Sequence, residues 1–88
     1  MAKVLIADDD KVMRDLLITL LELEDNQGFS ASKPEEVIPM AREAEPDLIL
    51  IDVHLSGGSS LPVLKEIKHD PELRSIPILM TSGMDMKQ

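Results

Sequence analysis

The sequence predicts an α/β protein, an open and doubly wound parallel sheet of strand order 2-1-3-4 with helices on both faces. Three observations lead there. Short unbroken apolar runs, Val4-Leu5-Ile6-Ala7, Leu48-Ile49-Leu50-Ile51 and Ile76 onward, have strand length and no polar alternation, so each needs cover on both faces. Between them lie segments with helical apolar spacing, which makes the order strand, helix, strand, helix, strand, helix, strand. Two of the runs also end in acid, at Asp8-Asp9-Asp10 and at Asp52.

Residues 3 to 8 form the first strand. Asp10 is placed to cap a helix from Lys11 to Glu24, in which Val12, Met13, Leu16, Leu17, Leu20 and Leu21 make one stripe expected to be buried. Asp25-Asn26-Gln27-Gly28 breaks that helix, and Phe29 with Ala31 gives a faint second strand. Ser32-Lys33-Pro34-Glu35 reads as a capping box with proline in the first turn. The helix it opens has Val37, Ile38, Met40, Ala41 and Ala44 on its apolar side, a kink expected at Pro39 and a stop at Pro46. Asp47 to Val53 is the third strand, and Ser56-Gly57-Gly58-Ser59-Ser60 is a turn whose glycines need unusual dihedrals. A third helix follows with Leu61, Leu64 and Ile67 directed inward and Asp70-Pro71 at its end, before a fourth strand from Ile76 to Ser82.

Size and charge narrow the function classes. At 88 residues the chain is one domain, 1–88, and its 43% apolar and 30% charged composition is that of a globular protein. No run of about 18 apolar residues could span a bilayer, and the amino terminus lacks the apolar core of a signal peptide, so a cytoplasmic protein is expected. With no cysteine and two histidines, a thiolate or zinc centre is not expected. The net charge of −8 repels nucleic-acid phosphates and anionic membranes, and Lys65 and Lys68 are flanked by Glu66 and Asp70. His54 reads as a loop residue and His69 as a helix-end residue that favours the helix dipole.

In a 2-1-3-4 sheet the chain reverses direction between strands one and three, and ligands bind outside their carboxyl ends. Asp8, Asp9 and Asp52 fall there. Crowded carboxylates raise one another's pKa, and a hard cation with oxygen ligands, magnesium best of all, relieves the repulsion. A carboxylate can also attack a phosphoryl group to give an acyl phosphate.

Val4-Leu5-Ile6-Ala7-Asp8-Asp9, Pro46-Asp47-Leu48-Ile49-Leu50-Ile51-Asp52 and Ile76-Pro77-Ile78-Leu79-Met80-Thr81-Ser82-Gly83 resemble, in order, the three signature stretches of bacterial response-regulator receiver domains. The resemblance implies a flavodoxin-like (CheY-like) fold in which Asp52 is the phosphoacceptor of a two-component phosphorelay, served by a sensor histidine kinase or phosphotransfer protein. It further implies a Mg2+ site made by Asp9, Asp52 and the backbone carbonyl of His54, with Asp8 acting through water and Ser82 hydrogen-bonded to the phosphoryl group. The loop departs from the family pattern, because Ser56 and Ser59-Ser60 stand where a proline and an Asp-Gly pair are common. The family also continues through a further helix, a fifth strand and a last helix that carry a lysine and an aromatic switch residue, and this sequence stops before them. The resemblance therefore implies an incomplete receiver with impaired output, whose fourth-strand edge invites a homodimer by edge pairing or element exchange.

Two rival readings belong to other classes. Asp8-Asp9-Asp10-Lys11-Val12 also resembles the nucleophile motif of haloacid-dehalogenase-type phosphatases, with Asp8 as nucleophile and Asp10 as acid, but Asp52 then has no role. A receiver-like interaction module that is not phosphorylated is the other, and the intact acidic cluster argues against it.

Overall fold

A computed structural model describes residues 1–81 of the chain. Strands β1 (Lys3–Ala7), β2 (Gln27–Ala31), β3 (Leu48–Asp52) and β6 (Ile78–Thr81) alternate with helices α1 (Lys11–Leu23), α2 (Pro34–Ala44) and α3 (Leu61–Lys68). A two-residue ladder, β4 (His54–Leu55) with β5 (Gly58–Ser59), lies between β3 and α3. The main sheet is parallel throughout and ordered β2-β1-β3-β6, which is the expected 2-1-3-4 arrangement once the small hairpin is set aside. The faint second strand is real and longer than Phe29 and Ala31 suggest, because all five residues from Lys3 to Ala7 pair with Gln27 to Ala31.

Local chemistry explains where the elements start and stop. Asp10 Oδ1 accepts hydrogen bonds from the backbone N–H groups of Val12 (3.0 Å) and Met13 (3.2 Å), capping α1 as expected. The box at the start of α2 sits one residue later than Ser32 and Glu35 predict. Lys33 is the cap residue, and Glu36 Oε1 accepts from the Ser32 N–H at 2.8 Å and the Lys33 N–H at 3.3 Å. These donors hold the Glu36 carboxyl below its ordinary range. Helix α2 runs on through Pro39, giving up one internal hydrogen bond, and ends where Glu45 turns left-handed. His69 Nδ1 lies 2.8 Å from the Lys65 carbonyl, one of the acceptors orphaned at the end of α3. Gly57 at φ +98° and Gly58 at φ +147° carry the chain around the small hairpin in conformations that favour glycine.

The main core cluster lies on one face of the sheet, with Val4 and Ile6 buried on the other. Leu5, Ala7, Ala31, Ile49 and Ile51 meet Val37 and Ala41 of α2 and Val63 and Ile67 of α3 in one buried cluster. On α3 Val63 and Ile67 are buried and Leu64 packs against the same cluster partly covered, as expected for Leu64 and Ile67; Leu61 is half-exposed, because Ser60 rather than Leu61 occupies the buried end of that stripe. Arg42 on α2 pairs with Asp70 and with Glu72 (2.8 Å), tying the core helices to the segment beyond α3.

The opposite face corrects the expectation of a buried α1 stripe. No α1 residue is buried, and Val12, Met13, Leu16 and Leu20 are exposed while Leu17 and Leu21 are only partly covered. The reason is geometric. A single helix about 10 Å wide shields β1 and β2 but cannot reach across β3 and β6, so an apolar groove between α1 and Leu48, Leu50 and Leu79 stays open among the described residues.

Helix α1 comes down closely on β2 at Gly28, where a Cβ atom would stand 2.8 Å from the Ile18 side chain. Gly28→Ala is expected to force Ile18 aside and lower stability by about 1–3 kcal/mol. Urea denaturation checks this, and an unchanged midpoint contradicts the close approach.

Candidate functional site

Parallel pairing of β1 with β3 in the register Ala7↔Ile51 makes Asp8 and Asp52 the next residues along two adjacent strands. Strand β6 flanks the other side, with Thr81 opposite Asp52. One carboxylate oxygen from each of Asp8, Asp9 and Asp52 lies within 4.8 Å of the others. The three acids singled out in the sequence are thus brought into one cluster, at the topological reversal of the sheet.

Their surroundings differ. Asp52 is buried at 7% exposure, and its Oδ1 accepts from the His54 N–H at 3.2 Å. Asp8 is partly covered, and its Oδ1 accepts from the Asp10 N–H at 2.9 Å. Asp9 faces solvent. Burial pushes the Asp8 carboxyl above its ordinary value of 3.8, the Asp10 N–H opposes that, and the negative charges of Asp52, Asp9 and Asp10 push it further up. A small cavity of about 180 Å³ beside Asp8 and Asp52 is lined by Ile6, Ala7, Met13, Leu50 and Thr81.

These residues fit a divalent cation. A repelling trio of carboxylate oxygens within 4.8 Å is a donor set of the hardness Mg2+ takes, at a separation that an ion ligated at about 2.0–2.1 Å nearly bridges. Asp8, Asp9 and Asp52 each offer one oxygen to such an ion. His54 lies two residues past Asp52 with an exposed side chain, its N–H turned to the Asp52 carboxylate and its strand position opposite Ser59. Ser82, the expected phosphoryl donor, lies outside the described residues. Asp10 spends its side chain on the α1 cap, which suits a structural role better than that of a phosphatase acid.

Two supporting residues escape a reading of the sequence. Arg14 Nη1 donates to the Asp8 carbonyl at 2.6 Å, clamping the turn that presents the acid pair. Ser60 is fully buried, and its Oγ donates to the Asp52 carbonyl at 2.7 Å with the Val53 carbonyl at 3.1 Å. Nothing in linear spacing links positions 14 and 8 or 60 and 52; only the folded loop does.

Comparison with known proteins agrees with the geometry. A family profile described as the response regulator receiver domain matches residues 4–88. The chain belongs to the response-regulator receiver family. Among relatives, this receiver is 36% identical over 84 residues to the polar-differentiation response regulator DivK of Brucella ovis, covering 96% of this chain and 68% of DivK. Among solved structures, the N-terminal domain of a response regulator receiver protein from Methanoculleus marisnigri superposes with a TM-score of 0.84 at 31% identity, covering 91% of this chain and 65% of that one. The chemotaxis response regulator CheY4 of Vibrio cholerae gives a TM-score of 0.83 at 26% identity, covering 99% and 76%. The chain thus spans about two thirds of the length of the relatives it matches. Its place is that of a receiver in two-component signalling, and no helix among the described residues is long and apolar enough to cross a membrane.

The crowding has a measurable sign. Because the folded-state pKa of Asp8 is raised, the folded protein binds more protons than the unfolded chain between pH 3.8 and that raised value. Ionised Asp8, held unfavourably by burial first and by the neighbouring carboxylates second, therefore weakens the fold at neutral pH, and the penalty disappears as pH falls through the folded pKa. Asp8→Asn is expected to raise the thermal midpoint at pH 7 in EDTA, with the gain over wild type shrinking as the pH is lowered. A variant less stable than wild type at pH 7 contradicts this.

Proposed function

We propose that residues 1–88 act as the phosphoacceptor receiver domain of a phosphorelay, with Asp52 taking a phosphoryl group from a sensor histidine kinase or phosphotransfer protein in the cytoplasm. The observation that carries this reading is the convergence of three carboxylates from two strand ends within 4.8 Å, with the most buried of them at the end of the central strand β3. Asp52 Oδ1 is engaged by the His54 N–H, which leaves the second carboxylate oxygen to attack phosphorus. The phosphorus–nitrogen bond of the phosphohistidine breaks as the phosphorus–oxygen bond forms, and the imidazole leaves. Asp9, Asp52 and the His54 carbonyl are the ligands proposed for magnesium, with Asp8 holding a bound water and Ser82 donating to the phosphoryl group. Bound there, the ion supplies neutralising charge for the transferring group. The burial of Asp52 keeps bulk water from competing at the nucleophile, and the Arg14 clamp on the Asp8 carbonyl keeps the acid pair aimed at it. The protein is an acceptor consumed once per event and not a turnover enzyme.

Incubation with acetyl phosphate and Mg2+ followed by intact-mass measurement tests the reading. An adduct of about 80 Da is expected. It is lost with EDTA and in Asp52→Asn, and retained in Asp10→Ala. Absence of the adduct from wild type, or its persistence in Asp52→Asn, would overturn the assignment.

A second property is favoured by the outer edge of β6. Leu79 is 56% and Met80 40% exposed, and among the described residues no strand pairs with that edge. An open apolar strand edge recruits another chain, so self-association by edge pairing is part of the proposal. Sedimentation is expected to show a mass that rises with concentration and reverts toward the monomer in Leu79→Lys. A monomer mass at all concentrations removes it.

A further inference from the structure

Ser60 occupies the cap position of α3, yet its side chain makes no capping bond to that helix; the Leu61 N–H is taken by Ser59 Oγ at 3.1 Å instead. A serine at a helix start ordinarily turns its oxygen to the first free N–H groups. Here the hydroxyl turns the other way, into the protein, to the carbonyls of Asp52 (2.7 Å) and Val53 (3.1 Å). The Ser60 N–H reinforces it by donating to the same Val53 carbonyl at 2.8 Å. Ser60 has no exposed surface, and its bond to the Asp52 carbonyl is buried away from competing water, while the bond to the Val53 carbonyl is part-buried.

The two carbonyls belong to successive peptide units, and each unit is held at its other end. The peptide that carries the Asp52 carbonyl has the Val53 N–H, which donates to the Thr81 carbonyl at 3.0 Å. The peptide that carries the Val53 carbonyl has the His54 N–H, which donates to Asp52 Oδ1 at 3.2 Å. A donor on a carbonyl polarises the N–H across the same peptide and strengthens the bond that N–H makes. Ser60 therefore reaches the Asp52 carboxylate through one peptide plane.

We propose that Ser60 is a positioning residue for Asp52: through its bonds to the Asp52 and Val53 carbonyls it sets the tilt of the 53–54 peptide, whose N–H pins one carboxylate oxygen and leaves the other free to react. This deepens the phosphoacceptor reading and rests on it. An ordinary buried serine that only satisfies nearby carbonyls would add to stability without touching Asp52.

Ser60→Ala and Ser60→Gly remove the hydroxyl while keeping the N–H bond, and Ser60→Thr restores the hydroxyl. Four quantities separate the two roles in the full 88-residue chain: the thermal midpoint, the His54 amide nitrogen and proton shifts without metal, the calorimetric Mg2+ dissociation constant, and the initial rate of adduct formation from acetyl phosphate. The hydroxyl-free variants are expected to move the His54 amide upfield, to weaken Mg2+ severalfold, and to slow adduct formation about tenfold at equal folded fraction, a cost in keeping with sub-ångström misplacement of a nucleophile. Ser60→Thr recovers the rate. A lowered midpoint with an unchanged His54 amide and an unchanged rate overturns the proposal. If wild type forms no adduct, the phosphoacceptor reading itself has failed. The His54 amide then decides the Ser60 relay alone: an upfield shift in the hydroxyl-free variants upholds it, and no shift overturns it.

Discussion

The register of two parallel strands is the constraint on which the rest depends. With Ala7 beside Ile51, the next residues on each strand are acids, and their side chains meet whether or not that favours the fold. Strands β1 and β3 are the most buried part of the molecule, so the sheet is not free to slip and relieve the repulsion. The stability of the core is thus coupled to the strain of the site. Under the proposed function, binding of a cation at the cluster would return the lost stability.

Most of the architecture was legible in the linear pattern because continuous apolar runs and helical spacing report burial directly. Asp10 as a cap, the four-strand order and the convergence of Asp8, Asp9 and Asp52 all follow from local rules applied to particular residues. Three features did not. The α2 cap shifted from Ser32 to Lys33 because Glu36, not Glu35, points back at the chain entering the helix. On α3 Leu64 and Ile67 pack inward as expected, but Val63 is buried where the pattern predicts Leu61, because the buried first position is held by a polar residue, Ser60, that apolar spacing cannot register. The α1 stripe looks core-like in sequence, yet most of it is exposed, since spacing reveals which residues share a face and not whether a neighbour covers it.

The supporting contacts were illegible for a different reason. Arg14 on the Asp8 carbonyl and Ser60 on the Asp52 carbonyl are side-chain bonds to backbone atoms, which carry no residue identity that a motif could mark. They are also what separates a cluster of acids from a site. Acids at a sheet edge are common; here the turn, the peptide plane and one oxygen each of Asp8 and Asp52 are held by a named donor.

The central claim is that Asp8, Asp9 and Asp52 share one cation-binding pocket. Carbon NMR of the aspartate Cγ resonances, followed through pH in metal-free buffer and then through a Mg2+ titration, tests it most directly. The account predicts that Asp8 titrates above its ordinary range, that Asp52→Asn lowers that value, and that Mg2+ shifts all three resonances with one midpoint. Asp8 titrating as an isolated carboxyl, indifferent to residue 52 and to the metal, would contradict it.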